Sequence, residues 1–126
     1  MLIRIPVAVG ELFDKITILR IKAVRLSDAG QLENVRRELA ELEAVAAAVP
    51  GSAELDDLVL RLQGINDALW DVEDGKRAHE REGRFDADFI ELARRVYKEN
   101  DQRAAVKREI NRLTGSTLVE EKSHGR

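Results

Sequence analysis

Apolar residues recur every three or four positions along most of the chain, and this spacing predicts helices. Four predicted helices cover about residues 11–26, 31–48, 53–81 and 86–113. Their ends carry residues that are typical of helix boundaries. Pro50 and Gly51 follow the second helix, Ser52 and Asp86 suit N-caps, and Gly115 suits the position after the last helix.

The first predicted helix is apolar on nearly all sides, and such a helix is buried on more than one face. We therefore predict an all-α fold, a bundle of four main helices arranged as two helical hairpins, in a single domain over 1–126. Residues 3–9, IRIPVAV, are β-branched and contain Pro6, which predicts an edge strand or an extended arm. The tail over 117–126 is expected to be partly disordered, with a short strand at Thr117–Val119.

The apolar stripe of helix 4 lapses once and then resumes in phase. At the lapse, the stripe should pass through Glu99 and Arg103. One explanation is a local rotation, in which Ala104 and Ala105 take the core contact and the charged side chains reach solvent. The other is a polar layer inside the bundle, to which several helices contribute. The second explanation predicts that Arg103 faces charged or polar groups of another helix.

Helices 3 and 4 should form an antiparallel hairpin with its turn near Gly83. Residues 66–70 would then lie opposite 97–101, and residues 73–77 opposite 90–95. Helix 1 would close the polar layer, because its few polar groups must meet partners or solvent. The polar side chains available on that helix are Glu11, Asp14 and Lys15.

A second polar face lies on helix 3, where Asn66, Trp70, Glu73 and Arg77 follow one another at spacings of four, three and four residues. A structural interpretation is that Trp70 covers the bundle and that Glu73 pairs with Arg77. A functional interpretation is an aromatic platform beside a carboxylate and a guanidinium. The hairpin would also bring these residues near Tyr97, Asn100 and Arg94.

Composition narrows the classes of function. The chain has 126 residues, a net charge of −3 and no cysteine, so disulfides and thiolate metal sites are excluded. The charge argues against nucleic acid as a partner, and no apolar run approaches the roughly 18 residues of a membrane helix. The N-terminus does not resemble a signal peptide, so we expect a cytoplasmic protein. Neither His79 nor His124 is expected to act as a ligand or a base.

Four segments carry a resemblance that covers nearly the whole chain: VAVGELFDKITILRIK, NDALWDVEDGKR, FDADFIELARRVYKENDQRAAVKREIN and GSTLVEEKS. Together they resemble an uncharacterised bacterial family of small helical proteins, a domain of unknown function. The resemblance implies no activity. It implies that the family-typical positions are largely polar: Glu11, Asp14, Lys15, Glu73, Asp74, Arg77, Tyr97, Asn100, Asp101, Arg103, Lys107 and Asn111.

Three functions agree with these patterns. The first is a small cytoplasmic binding or accessory protein whose polar cleft accepts an anionic ligand, such as a phosphorylated or acidic sugar or a nucleotide. Arginine suits this role through its planar donor fork. The side chains expected to bind, orient or stack the ligand are Arg77, Arg103, Lys107, Asn100, Tyr97 and Trp70, with Glu11, Asp14, Lys15, Glu73 and Asp101 nearby.

The second function is a metal-assisted hydrolase or isomerase that uses Glu73, Asp74 and Asp101 as ligands or bases. The third is a structural module that dimerises or docks through helix 2 and the N-terminal residues. A homodimer is expected because helix 1 has apolar surface for more than one neighbour and IRIPVAV presents an unpaired edge. The sequence does not identify a cofactor.

Overall fold

The computed structural model of the chain describes residues 1–117 and residue 121. Its helices are α1 (Val9–Arg25), α2 (Ala29–Ala46), α3 (Ala53–Glu82) and α4 (Ala87–Thr114). The all-α prediction is confirmed, since the described residues hold these four helices and no strand. Among these residues, no helix combines the length and the apolar character needed to cross a membrane.

The helix ends follow from the residue types at the boundaries. The side chains of Asp28, Ser52 and Asp86 each accept a hydrogen bond from a backbone N–H in the first turn of the helix that follows. Gly83 and Gly115 end α3 and α4 with φ angles of 65° and 67°. Because a side chain disfavours this left-handed conformation, glycine suits both positions.

Helix α1 lies at the centre of the fold and packs against each of the other three helices. Helix α3 packs along α4, with Leu92 against Gly75, as expected for a hairpin that turns at Gly83. Helix α2 packs on α1 but on neither α3 nor α4. The core lies where α1, α3 and α4 meet, and its most buried apolar side chains include Ile16, Leu62 and Ile110.

The prediction of an edge strand or extended arm over residues 3–9 is not confirmed. Val9 already belongs to α1, and residues 1–8, the N-terminal segment, form neither helix nor strand. A strand needs a hydrogen-bonded neighbour, and the described residues contain no strand to pair with it. The predicted strand at Thr117–Val119 and the tail over 117–126 lie outside the described residues, apart from Thr117 and Glu121.

Candidate functional site

The lapse in the apolar stripe of α4 lies against a buried carboxylate of α1. Arg103 donates from Nε to Oδ1 of Asp14 at 2.8 Å and from Nη2 to Oδ2 at 2.5 Å, a bidentate geometry that favours strong pairing. Its Nη1 donates to Oδ1 of Asn100 at 3.3 Å. The polar layer is therefore confirmed at Arg103. The alternative of a local rotation is wrong, because Arg103 pairs with the buried Asp14 rather than reaching solvent, while Ala104 is half-buried and Ala105 is exposed.

Helix α3 contributes an amide to the same carboxylate. The Nδ2 atom of Asn66 donates to Oδ1 of Asp14 at 3.0 Å and to Oγ1 of Thr17 at 2.9 Å. The Thr17 hydroxyl donates in turn to the backbone carbonyl of Asp14 at 2.8 Å. Sequence reasoning missed Thr17, although a hydroxyl three residues after Asp14 on an otherwise apolar helix was a usable signal.

The layer continues towards the N-terminus of α1 through a buried ammonium. Lys107 is 5% exposed, and its Nζ donates to Oε2 of Glu11 at 2.8 Å and lies 3.8 Å from Oδ2 of Asp14. Moving a charged group out of water costs on the order of several kcal/mol, so a buried ammonium needs such partners. Lys107 is thus held by two acids of α1.

The N-terminus of α1 is capped by one side chain of α4 and by Ser116, two residues after the end of α4. Ala8 occupies the N-cap position and has no side-chain acceptor. Instead, Oδ1 of Asn111 accepts from the N–H of Gly10 at 2.7 Å, and Oγ of Ser116 accepts from the N–H of Val9 at 3.4 Å. A Cβ atom at Gly10 would lie 2.5 Å from the carbonyl oxygen of Lys107, so glycine permits this close approach.

The carboxyl of Asp14 remains ionised despite its burial. Burial alone would raise its pKa, but hydrogen bonds from Arg103 and Asn66 and the positive charges of Arg103 and Lys107 lower it by more. The net effect is a pKa below the ordinary value. Asp14 therefore acts as a fixed negative charge that orients Arg103.

These contacts define the polar layer, which comprises Glu11, Asp14, Thr17, Asn66, Asn100, Arg103, Lys107 and Asn111. Within the described part of the chain, every buried side-chain nitrogen and oxygen has a hydrogen-bond partner. The layer is thus satisfied internally. A ligand would have to bind at its edge rather than inside it.

Such an edge exists where Arg103 emerges from the layer with its side chain 29% exposed. It opens into the Trp70 groove, a depression of about 370 Å³ between α1, α3 and α4. The residues that line the groove are Ile18, Ile21, Asn66, Leu69, Trp70, Glu73, Asp74, Arg77 and Arg103. The groove therefore combines an apolar wall, the only tryptophan, two carboxylates and two guanidinium groups.

Trp70 is supported from the side of α1. The guanidinium carbon of Arg25 lies 5.9 Å from the centre of the indole ring, within the range of a cation–π contact. Arg25 is held in turn by Asp71 at 2.6 Å and by Asp67 at 3.5 Å. This chain of contacts positions the indole at the groove.

The structure divides the predicted site residues into three groups. Trp70, Glu73, Asp74, Arg77 and Arg103 line the groove, while Glu11, Asp14, Asn100 and Lys107 belong to the polar layer. Lys15, Tyr97 and Asp101 do not line the groove: the first two are exposed and Asp101 is half-buried.

Glu73 has a different partner from the two that the sequence suggested. It forms an ion pair with Lys76 at 3.5 Å, rather than with Arg77 or Arg94. Lys76 lies three residues further along α3, on the neighbouring turn. The Arg77 side chain is exposed at the groove.

The predicted metal ligands do not form a cluster. Among the described residues, no group of three or more His, Asp or Glu side chains could hold a metal ion. Glu73 and Asp74 line the groove, but Asp101 does not. His79 is buried in the last turn of α3, where its Nδ1 lies 2.9 Å from the carbonyl oxygen of Arg84.

The chain belongs to a family of unknown function, DUF6165, whose model matches residues 3–125. This confirms the resemblance to a family of unknown function that the sequence segments indicated. No curated protein and no solved structure matches the chain. An assignment of function therefore has to be argued from the groove and the polar layer.

Proposed function

We propose that this family member is a small cytoplasmic binding protein whose Trp70 groove accepts an anionic sugar, with a phosphate or carboxylate group. The observation that carries the proposal is the position of Arg103. Its guanidinium is held by Asp14 and Asn100 and still lines a groove that also contains Trp70 and Arg77. A cation held in place in this way loses little conformational freedom when it binds a ligand.

The two arginines supply the anion-binding part. Arg77 on α3 and Arg103 on α4 line the same groove, so their guanidinium groups can approach one anion from two helices. Arginine binds phosphate and carboxylate through paired N–H donors. Because the Arg77 side chain is exposed, it can move towards a ligand without disturbing the core.

The remaining residues of the groove suit a sugar ring. Trp70 offers an aromatic surface, Leu69 and Ile18 offer apolar contact, and the carboxylates of Glu73 and Asp74 can accept hydrogen bonds from hydroxyl groups. The volume of about 370 Å³ is near the lower end of the range for small-molecule sites, roughly 300–1,000 Å³. This size favours a single small molecule over a polymer.

Tryptophan fluorescence gives a direct test, because Trp70 is the only tryptophan. Hexose phosphates, uronic acids, mononucleotides, inorganic phosphate and neutral hexoses would be titrated separately, each with and without Mg²⁺. We expect the anionic sugars to change the Trp70 emission saturably, and neutral hexoses to have no effect. A response to nucleotides alone would indicate that the ligand is a nucleotide and not a sugar. A response that requires Mg²⁺ would favour the metal-assisted alternative.

A matched pair of substitutions tests the role of the groove. Arg77→Gln removes a lining cation, whereas Arg81→Gln removes an exposed cation one turn further along α3 that does not line the groove. We expect Arg77→Gln to weaken binding about tenfold or more and Arg81→Gln to leave it unchanged. Equal effects of the two variants, or no saturable response to any anionic probe, would contradict the proposal.

A further inference from the structure

A second depression results from the way α2 packs. Because α2 contacts α1 but neither α3 nor α4, its C-terminal end and the beginning of α3 leave a cleft of about 580 Å³ beside α1. Buried Ile16 and Leu55 are among the residues that line this α2–α3 cleft. The other apolar residues that line it are Phe13, Ala46, Ala47, Val49, Val59 and Leu60. Leu60 is 69% exposed, so the cleft leaves apolar surface in contact with water.

The N-terminal segment is the other uncovered apolar feature. Leu2, Ile3 and Ile5 are each 72% exposed and Val7 is 43% exposed. When such a segment is laid out as a strand, alternate side chains share a face. Ile3, Ile5 and Val7 then form one apolar face, and Arg4 points to the opposite side.

We propose that the α2–α3 cleft binds the N-terminal segment of a second copy of this chain. The lengths agree: Ile3–Val7 spans about 13 Å when extended, and the stretch of α1 that lines the cleft, Phe13–Arg20, is about 10 Å long. The apolar face of the segment would cover the cleft and bury the exposed surface of Leu60.

The charges are also complementary. Glu43 and Asp56 line the cleft, and Glu43 pairs with Arg20 at an exposed position, 3.4 Å apart. The only charged side chain of the N-terminal segment is Arg4. With its neighbours facing the cleft, Arg4 would point outwards and could reach the acids at the rim, and this charge complementarity favours one register of the segment.

The geometry next to α1 favours binding of the N-terminal segment to the cleft of a second copy over binding to the cleft of its own chain. Pro6 fixes its own φ angle and keeps Ile5 extended, and Ala8 is extended, with φ −66° and ψ 150°. To reach its own cleft beside Phe13, the segment would have to reverse direction within these few residues. Reciprocal exchange between two copies needs no reversal, and it would give a closed dimer with two equal contacts.

The absence of cysteine permits a direct test by disulfide trapping. A chain with Ile5→Cys would be mixed with a separate chain carrying Leu60→Cys and oxidised gently. We expect a covalent dimer that contains one chain of each kind. The control pairs Ile5→Cys with Val24→Cys, because Val24 is 85% exposed and does not line the cleft; its yield should be at least tenfold lower. Equal yields for the two pairs would overturn the proposal.

A chain with both Ile5→Cys and Leu60→Cys distinguishes the two sources of the segment. If this variant forms an internal disulfide in a species of single-chain mass, the segment comes from the same chain and the proposal is wrong.

Sedimentation of the unmodified protein should show twice the mass of one chain, with Ile5→Asp and Leu60→Lys each weakening the dimer at least tenfold. Leu2→Asp, on the opposite face of the segment, should weaken it less. A monomer at all concentrations, or a dimer that neither Ile5→Asp nor Leu60→Lys weakens, would also overturn the proposal.

Discussion

Asp14 connects three helices through one side chain. Its carboxylate accepts hydrogen bonds from Arg103 of α4 and Asn66 of α3, and Lys107 lies 3.8 Å away. Removal of a single partner from a buried pair leaves the other charge uncompensated, which typically costs about 3–5 kcal/mol. Replacement of both partners by apolar groups avoids that cost.

A double-mutant cycle tests this reasoning. We expect Arg103→Met to lower the free energy of unfolding by about 2–4 kcal/mol, because Asp14 stays buried and only Lys107 and Asn66 remain beside it. Asp14→Leu should have a similar effect. The double variant should lose less than the sum of the two, with a coupling of about 1–3 kcal/mol, measured by urea unfolding. Additive losses would contradict a direct interaction between the two side chains.

Gly10 gives a second prediction at the residue scale. A methyl group there would lie 2.5 Å from the carbonyl oxygen of Lys107, and neither backbone can yield easily. Gly10→Ala should therefore destabilise the fold by about 1–3 kcal/mol, the usual range for overpacking. Gly64→Ala is the control, since no atom lies within 4 Å of its added Cβ. This control should stabilise α3 by up to about 1 kcal/mol, and thermal unfolding of both variants would measure the contrast.

At the scale of the element, α2 is the least anchored helix. It packs on α1 alone and has one buried residue, Val35. Regions with few buried contacts open at lower free energy than the core. We expect the backbone amides of α2 to exchange with deuterium faster than those of α1. The measurement is hydrogen exchange followed by mass spectrometry, repeated in the Ile5→Asp variant so that association of chains does not alter it. Equal protection of the two helices would contradict this expectation.

The helices themselves could be predicted because their signals are local. The stripe of Leu62, Ile65 and Leu69, together with the caps Ser52 and Asp86, depends only on nearby residues. The cap of α1 could not be predicted in the same way. Its acceptor, Asn111, lies about a hundred residues away, and only the packing of α4 against Gly10 brings it there.

Part of the candidate site could also be predicted from a local signal. The lapse at Arg103 indicated a polar layer because periodicity shows which face of a helix lacks apolar residues. It did not indicate which polar side chain of α1 would occupy the layer, since the neighbours Asp14 and Lys15 differ by only 100° around the helix. The sequence also suggested Arg77 or Arg94 as the partner of Glu73 and not Lys76, because spacing along a helix does not decide among several cations within reach of one long side chain.

At the scale of the whole molecule, the ionised state of Asp14 makes stability depend on pH. The pKa of Asp14 in the folded protein lies below its ordinary value, so the unfolded chain binds its proton at a higher pH than the folded one. The stabilisation from this group is complete above the unfolded pKa of about 3.9. It is then lost as the pH falls through the lower, folded value. Asp86 and Glu109 also have lowered pKa values, but both are exposed and contribute little.

The difference between the wild type and Asp14→Asn isolates this contribution. The variant keeps the shape of the side chain but does not titrate, so the other carboxylates affect both proteins alike. We expect the variant to be less stable by about 2–4 kcal/mol at pH 7, because Arg103 and Lys107 lose the charge between them. This difference should persist to about pH 5 and shrink progressively below about pH 4. Urea unfolding at pH 7, 5, 4 and 3 would measure it. A difference that stays constant down to pH 3 would show that Asp14 holds the three helices together by shape and hydrogen bonding alone, without a contribution from its charge.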